Sequence, residues 1–236
     1  MTPSTSRRGS RAPSALSGPL STVRYDVNGV RFDMVRVPPG RFVDGEGPTR
    51  RELLVSRPFE IGVAPVTQAL WRAVMGSSLS RFPGEDRPVE QISWDEAQQL
   101  MTALSKRGLL GFRLPTEAEW AWAARCGVST RWSAGDRPKV VAVVDSSQTA
   151  PVAGLSGAAV GAFDFSGNVF GWVDDWYGQA PPAGVDVRGL ALGFRRVFRG
   201  GCWTVVPYFA RVAHRGNDAS GDSSYDLGVR LARTAS

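Results

Sequence analysis

Apolar and polar positions alternate from residue 22 to residue 43: Val23, Tyr25 and Val27 lead into Asn28-Gly29, and Val30, Phe32, Met34 and Val37 follow. A period of two on both sides of Asn-Gly predicts a β-hairpin, because that pair accepts the positive φ angles of a tight turn. Pro38-Pro39-Gly40 ends the run. A further strand is predicted over Arg51 to Ile61, carried by Leu53, Val55, Phe59 and Ile61; Pro58 donates no ladder hydrogen bond and places it at an edge or a bulge.

The pattern then becomes helical. Thr67 can cap a short helix that ends by Gly76. Ser93 with Glu96 forms a capping box ahead of an apolar stripe at Leu100, Met101 and Leu104, and Gly108 is the stop. Thr116-Glu117-Ala118-Glu119 repeats that logic before Trp120, Ala123 and Ala124, with Gly127 as terminator, so Glu117 and Glu119 have a capping and dipole explanation that needs no catalysis. Such short helices are marginal alone and must be held by burial. Beyond 128 the chain turns to glycine, proline and brief apolar runs; Val140 to Val144 has strand character between loop-like neighbours. Gly154, Gly157 and Gly161 lack the strand-to-helix setting of a nucleotide fingerprint and read as loop glycines. Trp172, Trp176 and Trp203 supply large apolar bodies that anchor irregular chain. With no internal repeat and no linker after residue 22, the expectation is one domain over 22–236 behind a flexible, basic Ser/Pro/Gly-rich leader over 1–21.

Composition changes this picture only modestly. At 236 residues and 42% hydrophobic content the chain can bury a substantial core. The net charge of +6 is partly the leader's, through Arg7, Arg8 and Arg11, so no specific nucleic-acid partner is expected. No apolar run has the length of a membrane span, and the first twenty residues lack that of a secretion signal. The default reading is a soluble, cytoplasmic protein; its location and oligomeric state are otherwise open. Cys126 and Cys202 read as free thiols acting as small buried hydrophobes, and one histidine, His214, cannot build a multi-histidine metal site.

Several motifs occur in a fixed order: Met34-Val35-Arg36-Val37-Pro38-Pro39-Gly40-Arg41-Phe42, Pro65-Val66-Thr67 with Trp71, Arg87-Pro88-Val89 and Ser93-Trp94. Then come Phe112-Arg113-Leu114-Pro115-Thr116-Glu117-Ala118-Glu119-Trp120, Asp164-Phe165-Ser166-Gly167-Asn168-Val169, and Arg199-Gly200-Gly201 with Trp203. Through them the chain resembles the sulfatase-modifying-factor, or formylglycine-generating-enzyme-like, family over nearly all of residues 30–232. The resemblance implies an α+β, C-type-lectin-like fold of the formylglycine-generating-enzyme variant, with short helices, sparse strands, much irregular structure and a strand around Gly228 to Leu231. Enzymes of that family use a cysteine pair after the tryptophan matching Trp203, where thiolates hold copper; Val205 and Ala210 stand there. No catalytic residue and no required cofactor are therefore expected. Relatives often carry calcium near the Gly-Asn-Val segment. Asn168 is kept, but Gly171 replaces the usual glutamate, so Asp174 or Asp175 would have to complete a structural calcium site.

A branch of the same family, the variable proteins of diversity-generating retroelements, displays a rewritten C-terminal segment on a constant frame. This chain is similar to that branch over about 199–230. Arg199, Gly200, Gly201, Trp203, Arg211, Arg215, Gly228 and Arg230 form the expected scaffold. Thr204, Val205, Val206, Tyr208, Phe209, His214, Gly216, Asn217, Ser223 and Tyr225 form the expected contact surface for a protein or cell-surface ligand whose identity the sequence does not give. Two rivals remain: a metal-dependent oxidoreductase-like enzyme with an atypical site lined by acids such as Asp174, Asp175 or Asp222, and a binding module with one fixed partner.

Overall fold

The computed structural model describes residues 20–78 and 80–235; of the expected leader only Leu20 and Ser21 fall among them. β1 (Thr22–Val27) and β2 (Val30–Val37) form the predicted antiparallel hairpin, with Asn28 at φ 52° and Gly29 at φ 84° in the turn. β3 (Gly40–Asp44) follows. The run expected as one strand over 51–61 is two: β4 (Arg51–Val55) pairs with β3, whereas β5 (Phe59–Gly62) pairs with β2. Pro58 lies at the break. Leu53, Val55, Phe59 and Ile61 keep the same parity across it, which is why the two segments read as one.

The three predicted helices start and stop as their punctuation indicates. In α1 (Gln68–Met75) the Thr67 hydroxyl accepts from the Leu70 amide and Gly76 closes the last turn. α2 (Trp94–Lys106) carries the Ser93/Glu96 capping box. After the two-residue β6 (Phe112–Arg113), α3 (Glu117–Arg125) carries the Thr116/Glu119 box and ends on Cys126 in the left-handed region, one residue before Gly127. Val140 to Val144 is not a strand. Pro138, with φ already set for a first helical position, starts the one-turn α4 (Pro138–Val141), and only Val143 pairs, with Gly167.

The remaining strands are β7 (Phe170–Trp176), β8 (Gly184–Val185), β9 (Arg196–Arg199), β10 (Arg215–Asp218), β11 (Leu227–Val229) and β12 (Ala232–Thr234). Among the described residues they complete an α+β architecture of three sheets: β1-β2-β5-β12-β6, β10-β9-β7-β11 and β3-β4-β8. The strand expected around Gly228 to Leu231 is divided between two of them: β11 runs parallel to β7, and β12 inserts between β5 and β6. Arg230, at the crossing, is buried; its guanidinium donates to the Gly62 carbonyl at 2.7 Å and the Phe163 carbonyl at 2.5 Å.

Two large apolar clusters and a small third one, of Trp132, Val141 and Ala210, fill the interior. One of the large pair gathers Leu70, Trp71, Leu100, Leu104, Trp172 and Trp203 around α1 and α2; the other gathers Phe59, Trp120, Trp122, Phe165 and Val197 around α3. Burial of the helices' apolar faces supplies the stability their length does not. Buried indoles find acceptors: Trp172 donates to the Ile92 carbonyl at 2.7 Å and Trp122 to the Pro38 carbonyl at 2.8 Å.

Candidate recognition surface

The C-terminal segment leaves the interior at β9 and returns at β11, and both ends are fixed by burial. Arg199, the last residue of β9, is fully buried and donates to Glu117 at 2.5 Å, Asp44 at 3.2 Å and the Val212 carbonyl at 2.5 Å. Arg215 grips the same Glu117 through two nitrogens at 2.5 and 3.0 Å and donates to the Gly178 carbonyl at 2.8 Å. Arg51 joins Asp44 at 3.1 Å and Glu117 at 3.4 Å, and Arg125 reaches Asp44 at 3.8 Å. Burial alone would raise the Asp44 carboxyl. Attraction from Arg199, Arg51 and Arg125 outweighs it and holds the pKa at about 2. Glu117 is lowered by the same contest between burial and its arginines. Its capping and dipole explanation is therefore incomplete: the side chain leaves the helix start to receive Arg199 and Arg215, while Glu119 alone completes the capping box.

Gly200 and Gly201 follow with φ at 103° and 78°; a Cβ on Gly201 would meet the Ala210 Cα at 2.5 Å. Trp203 is buried, accepts at its carbonyl from the Ser146 amide at 2.8 Å and donates from Nε1 to the Tyr225 carbonyl at 3.3 Å. Gly228 lies buried in β11.

Between these ends the chain turns outward. Thr204, Val206, Tyr208, Phe209, Ser223 and Tyr225 are exposed, with Val206 51%, Tyr208 58%, Phe209 42% and Tyr225 40% accessible. These are large apolar groups facing water from a rigid border. Tyr208 packs edge-on against Phe209 at 5.3 Å between centroids, and Phe209 against His214 at 5.2 Å. His214 and Asn217 are half-buried. Burial, then the charges of Arg199 and Arg211, push the His214 pKa down. Arg211 stacks over Tyr208 at 3.7 Å and pairs with Glu46 at 2.6 Å. Two expected contact residues are placed differently. Val205 is half-buried and packs on two apolar clusters; Gly216 faces Phe198 so closely that a Cβ would meet its ring at 1.8 Å, leaving only backbone to offer.

The surface also draws on residues far back in the chain. On the loop between α1 and α2, Phe82 packs edge-on against Trp203 at 5.1 Å, and the Arg81 guanidinium carbon stands 5.1 Å from the Tyr225 ring centre. Nothing local in the sequence marks this pair, whose partners lie more than a hundred residues away.

Positions 205 and 210, where related enzymes place thiols, are apolar and packed; Ala210 is buried with Trp132 and Val141. The chain's own thiols lie in different clusters, Cys126 with the α3 group and Cys202 with the α1–α2 group, and burial pushes both up to about 12. A thiol so weakly acidic is a poor nucleophile and metal ligand.

The residues named for calcium are engaged separately. The Asn168 amide exchanges two hydrogen bonds with the Ala150 backbone at 3.0 and 3.1 Å. Asp174 pairs with Arg188 at 2.6 Å, and Asp175 accepts from the Glu117 and Gly189 amides. Among the described residues no three His, Cys, Asp or Glu side chains gather as a metal cluster, and no helix is long and apolar enough to cross a membrane.

Comparison with known proteins gives a family match, relatives in sequence and similar solved structures. The family profile described as "Sulfatase-modifying factor enzyme 1-like domain" matches residues 27–235. The chain is 33% identical over 196 residues to the formylglycine-generating enzyme of Streptomyces coelicolor, covering 72% of this chain and 60% of that one. It is 35% identical over 153 residues to the serine/threonine-protein kinase pkn1 of Chlamydia caviae, covering 62% of this chain but only 24% of the kinase. Among solved structures, Treponema denticola variable protein 1 is 30% identical with a TM-score of 0.83, over 91% of this chain and 99% of that one. PvdO from Pseudomonas aeruginosa, 22% identical with a TM-score of 0.79 over 93% of this chain, shares the fold.

Proposed function

The chain belongs to the sulfatase-modifying factor enzyme 1-like family, and from that premise we propose that it is a ligand-binding variable protein rather than an enzyme. It displays a diversified C-terminal surface of the kind that diversity-generating retroelements rewrite. The observation that carries this reading is the contrast within residues 199–230. Arg199, Gly201, Trp203, Gly228 and Arg230 are buried, while Thr204, Val206, Tyr208, Phe209, Ser223 and Tyr225 face water between them. Side chains of that second set can be exchanged without disturbing the first, as a rewritten surface requires. The likeness to Treponema denticola variable protein 1 over 91% of the chain supports it. So does the apolar filling at 205 and 210, which leaves the thiol chemistry of related enzymes without ligands.

Tyrosine and phenylalanine give such a surface rigid apolar area, while threonine, serine and asparagine adapt their hydrogen bonds. The partner is a protein or a cell-surface ligand. Sequencing of the flanking DNA tests the reading: a reverse transcriptase and a near-copy of the last hundred or so bases, differing mainly at adenines, is the expected outcome. Their absence would return the chain to a module with one fixed partner. Replacing Tyr208, Phe209 and Tyr225 together by alanine should abolish binding to a ligand recovered by surface selection while leaving the melting temperature near the parent's. Trp203→Ala should instead cost ~3–5 kcal/mol of stability.

A further inference from the structure

Arg81 lies outside the C-terminal segment yet forms part of its surface. Its guanidinium carbon stands 5.1 Å from the Tyr225 ring centre and 5.5 Å from that of Phe82. It is exposed, and among the described residues it forms no salt bridge with a carboxylate. Its loop is held in place. The Phe82 amide donates to the Glu90 carboxylate at 3.0 Å, the Glu90 amide donates to the Ser80 hydroxyl at 3.2 Å, and the Phe82 ring meets Trp203. Arg81 is thus a positioned cation. Burial raises the pKa of Glu90 beneath this loop, while the Phe82 and Arg81 amides and the Arg81 charge act to lower it.

The arginines of the C-terminal segment, by contrast, are committed: Arg188 to Asp174, Arg195 to Asp218, Arg199 and Arg215 to Glu117, and Arg211 to Glu46. From Val187 to Asn217 the chain carries Arg188, Arg195, Arg196, Arg199, Arg211 and Arg215 and no aspartate or glutamate. Arg51 and Arg125 join Arg199 and Arg215 on Asp44 and Glu117 in the buried network. The acids nearby in sequence come later, at Asp218, Asp222 and Asp226, and Asp218 is met by Arg195 at 3.4 Å. The same stack recurs where Arg211 covers Tyr208, but there Glu46 occupies the guanidinium. An arginine lying over a ring keeps the N–H donors at its edge free for a carboxylate. Arg81 is such an arginine with its edge open.

We propose that the recognition face extends to Arg81 and takes an acidic polypeptide segment, one carboxylate meeting Arg81 while a neighbouring apolar side chain covers Tyr225 and Phe82. This rests on the recognition reading above and adds the partner's chemistry to it. The groups against Arg81 are the Tyr225 and Phe82 rings, with Trp203 behind Phe82, so one cation stands beside apolar area; that suits a segment pairing a carboxylate with an apolar side chain better than a continuous phosphate backbone.

The test is fluorescence anisotropy with a fluorescein-labelled Glu-Tyr copolymer, run against the parent, Arg81→Gln, Arg81→Lys, Tyr225→Ala and Arg31→Gln, an exposed arginine on the hairpin. The parent should bind, Arg81→Gln should weaken binding about tenfold, Arg81→Lys should fall between, and Arg31→Gln should match the parent. Equal weakening by Arg81→Gln and Arg31→Gln would show non-specific attraction and overturn the proposal. So would a labelled oligothymidylate bound as well as the copolymer with the same dependence on Arg81. If Tyr225→Ala abolishes binding and Arg81→Gln does not, Arg81 is no contact and the recognition reading stands. A parent that does not bind the copolymer overturns the acidic partner and leaves the flanking-DNA test of that reading untouched.

Discussion

Asp44 is a carboxylate with 1% of its surface exposed, and burial by itself would make it a weak acid. Three arginines reverse that and hold it at about 2, below the ordinary 3.8. A folded value below the unfolded one contributes stability that is present above the unfolded value and lost as pH falls through the folded one. A shift of this size corresponds to about 2 kcal/mol, lost between roughly pH 4 and pH 2. Burial works the other way at Asp164 and Asp175, whose raised values add stability that is full in acid and lost as pH rises through them. Urea denaturation across pH should therefore show Asp44→Asn destabilised by ~3–5 kcal/mol at pH 7, because arginines are left uncompensated, with a shallower acid limb than the parent. An equally steep limb would show that Asp44 is not the titrating group. The two thiols give a simpler expectation. Held at about 12, Cys126 and Cys202 should not react with Ellman's reagent in the native protein and should both react in guanidinium. Their character as small buried hydrophobes was legible in the sequence. The role of Glu117 was not, because its partner Arg199 lies 82 residues away and a capping explanation was sufficient locally.

At the scale of elements, the start of α3 separates local from long-range stabilisation within four residues. Thr116 and Glu119 satisfy each other's backbone amides, whereas Glu117 between them receives hydrogen bonds from Arg199 and Arg215 and an ion pair from Arg51, all three carried by distant strands. Thr116→Ala removes one capping bond and should cost about 1 kcal/mol. Glu117→Gln leaves Arg199 and Arg215 facing a neutral acceptor in the interior and should cost several times more, on the order of 3–5 kcal/mol. Chemical denaturation of the two variants decides it; equal costs would mean that the network contributes no more than a cap. Helix limits were readable because caps and terminators act over three or four residues. The strands were readable only while they stayed in one sheet. Arg51 to Ile61 and Gly228 to Leu231 each cross between sheets without losing apolar periodicity, so a side-chain pattern cannot show the crossing. Val140 to Val144 misled for a different reason: five consecutive valine or alanine residues look like a buried strand, but Pro138 starts a turn of helix that takes Val140 and Val141.

For the molecule as a whole, the segment proposed to vary is suspended between parts that cannot. Residues 227–234 contribute strands to two sheets, β12 lies between β5 and β6, and Leu227, Val229 and Leu231 enter the main apolar cluster. A chain ending at Asp226 would leave β6 unpaired and the Gly62 and Phe163 carbonyls without Arg230. It should show no cooperative melt and should bind a hydrophobic dye. Simultaneous exchange of Thr204, Val206, Ser223 and Tyr225 should behave oppositely. Each lies on the surface, where substitutions shift stability by about 0.5 kcal/mol or less, so the melting temperature should stay within about 5 °C of the parent. Gly216 marks the limit of that freedom. Any side chain there strikes Phe198, so Gly216→Ser should destabilise more than the four surface changes together. Calorimetry of these three variants tests the division directly. A four-site variant melting far below the parent would mean that the outward-facing residues belong to the core. A cooperative truncation would mean that the frame closes without its last strands, and the separation of a fixed border from an exchangeable face would lose its physical basis.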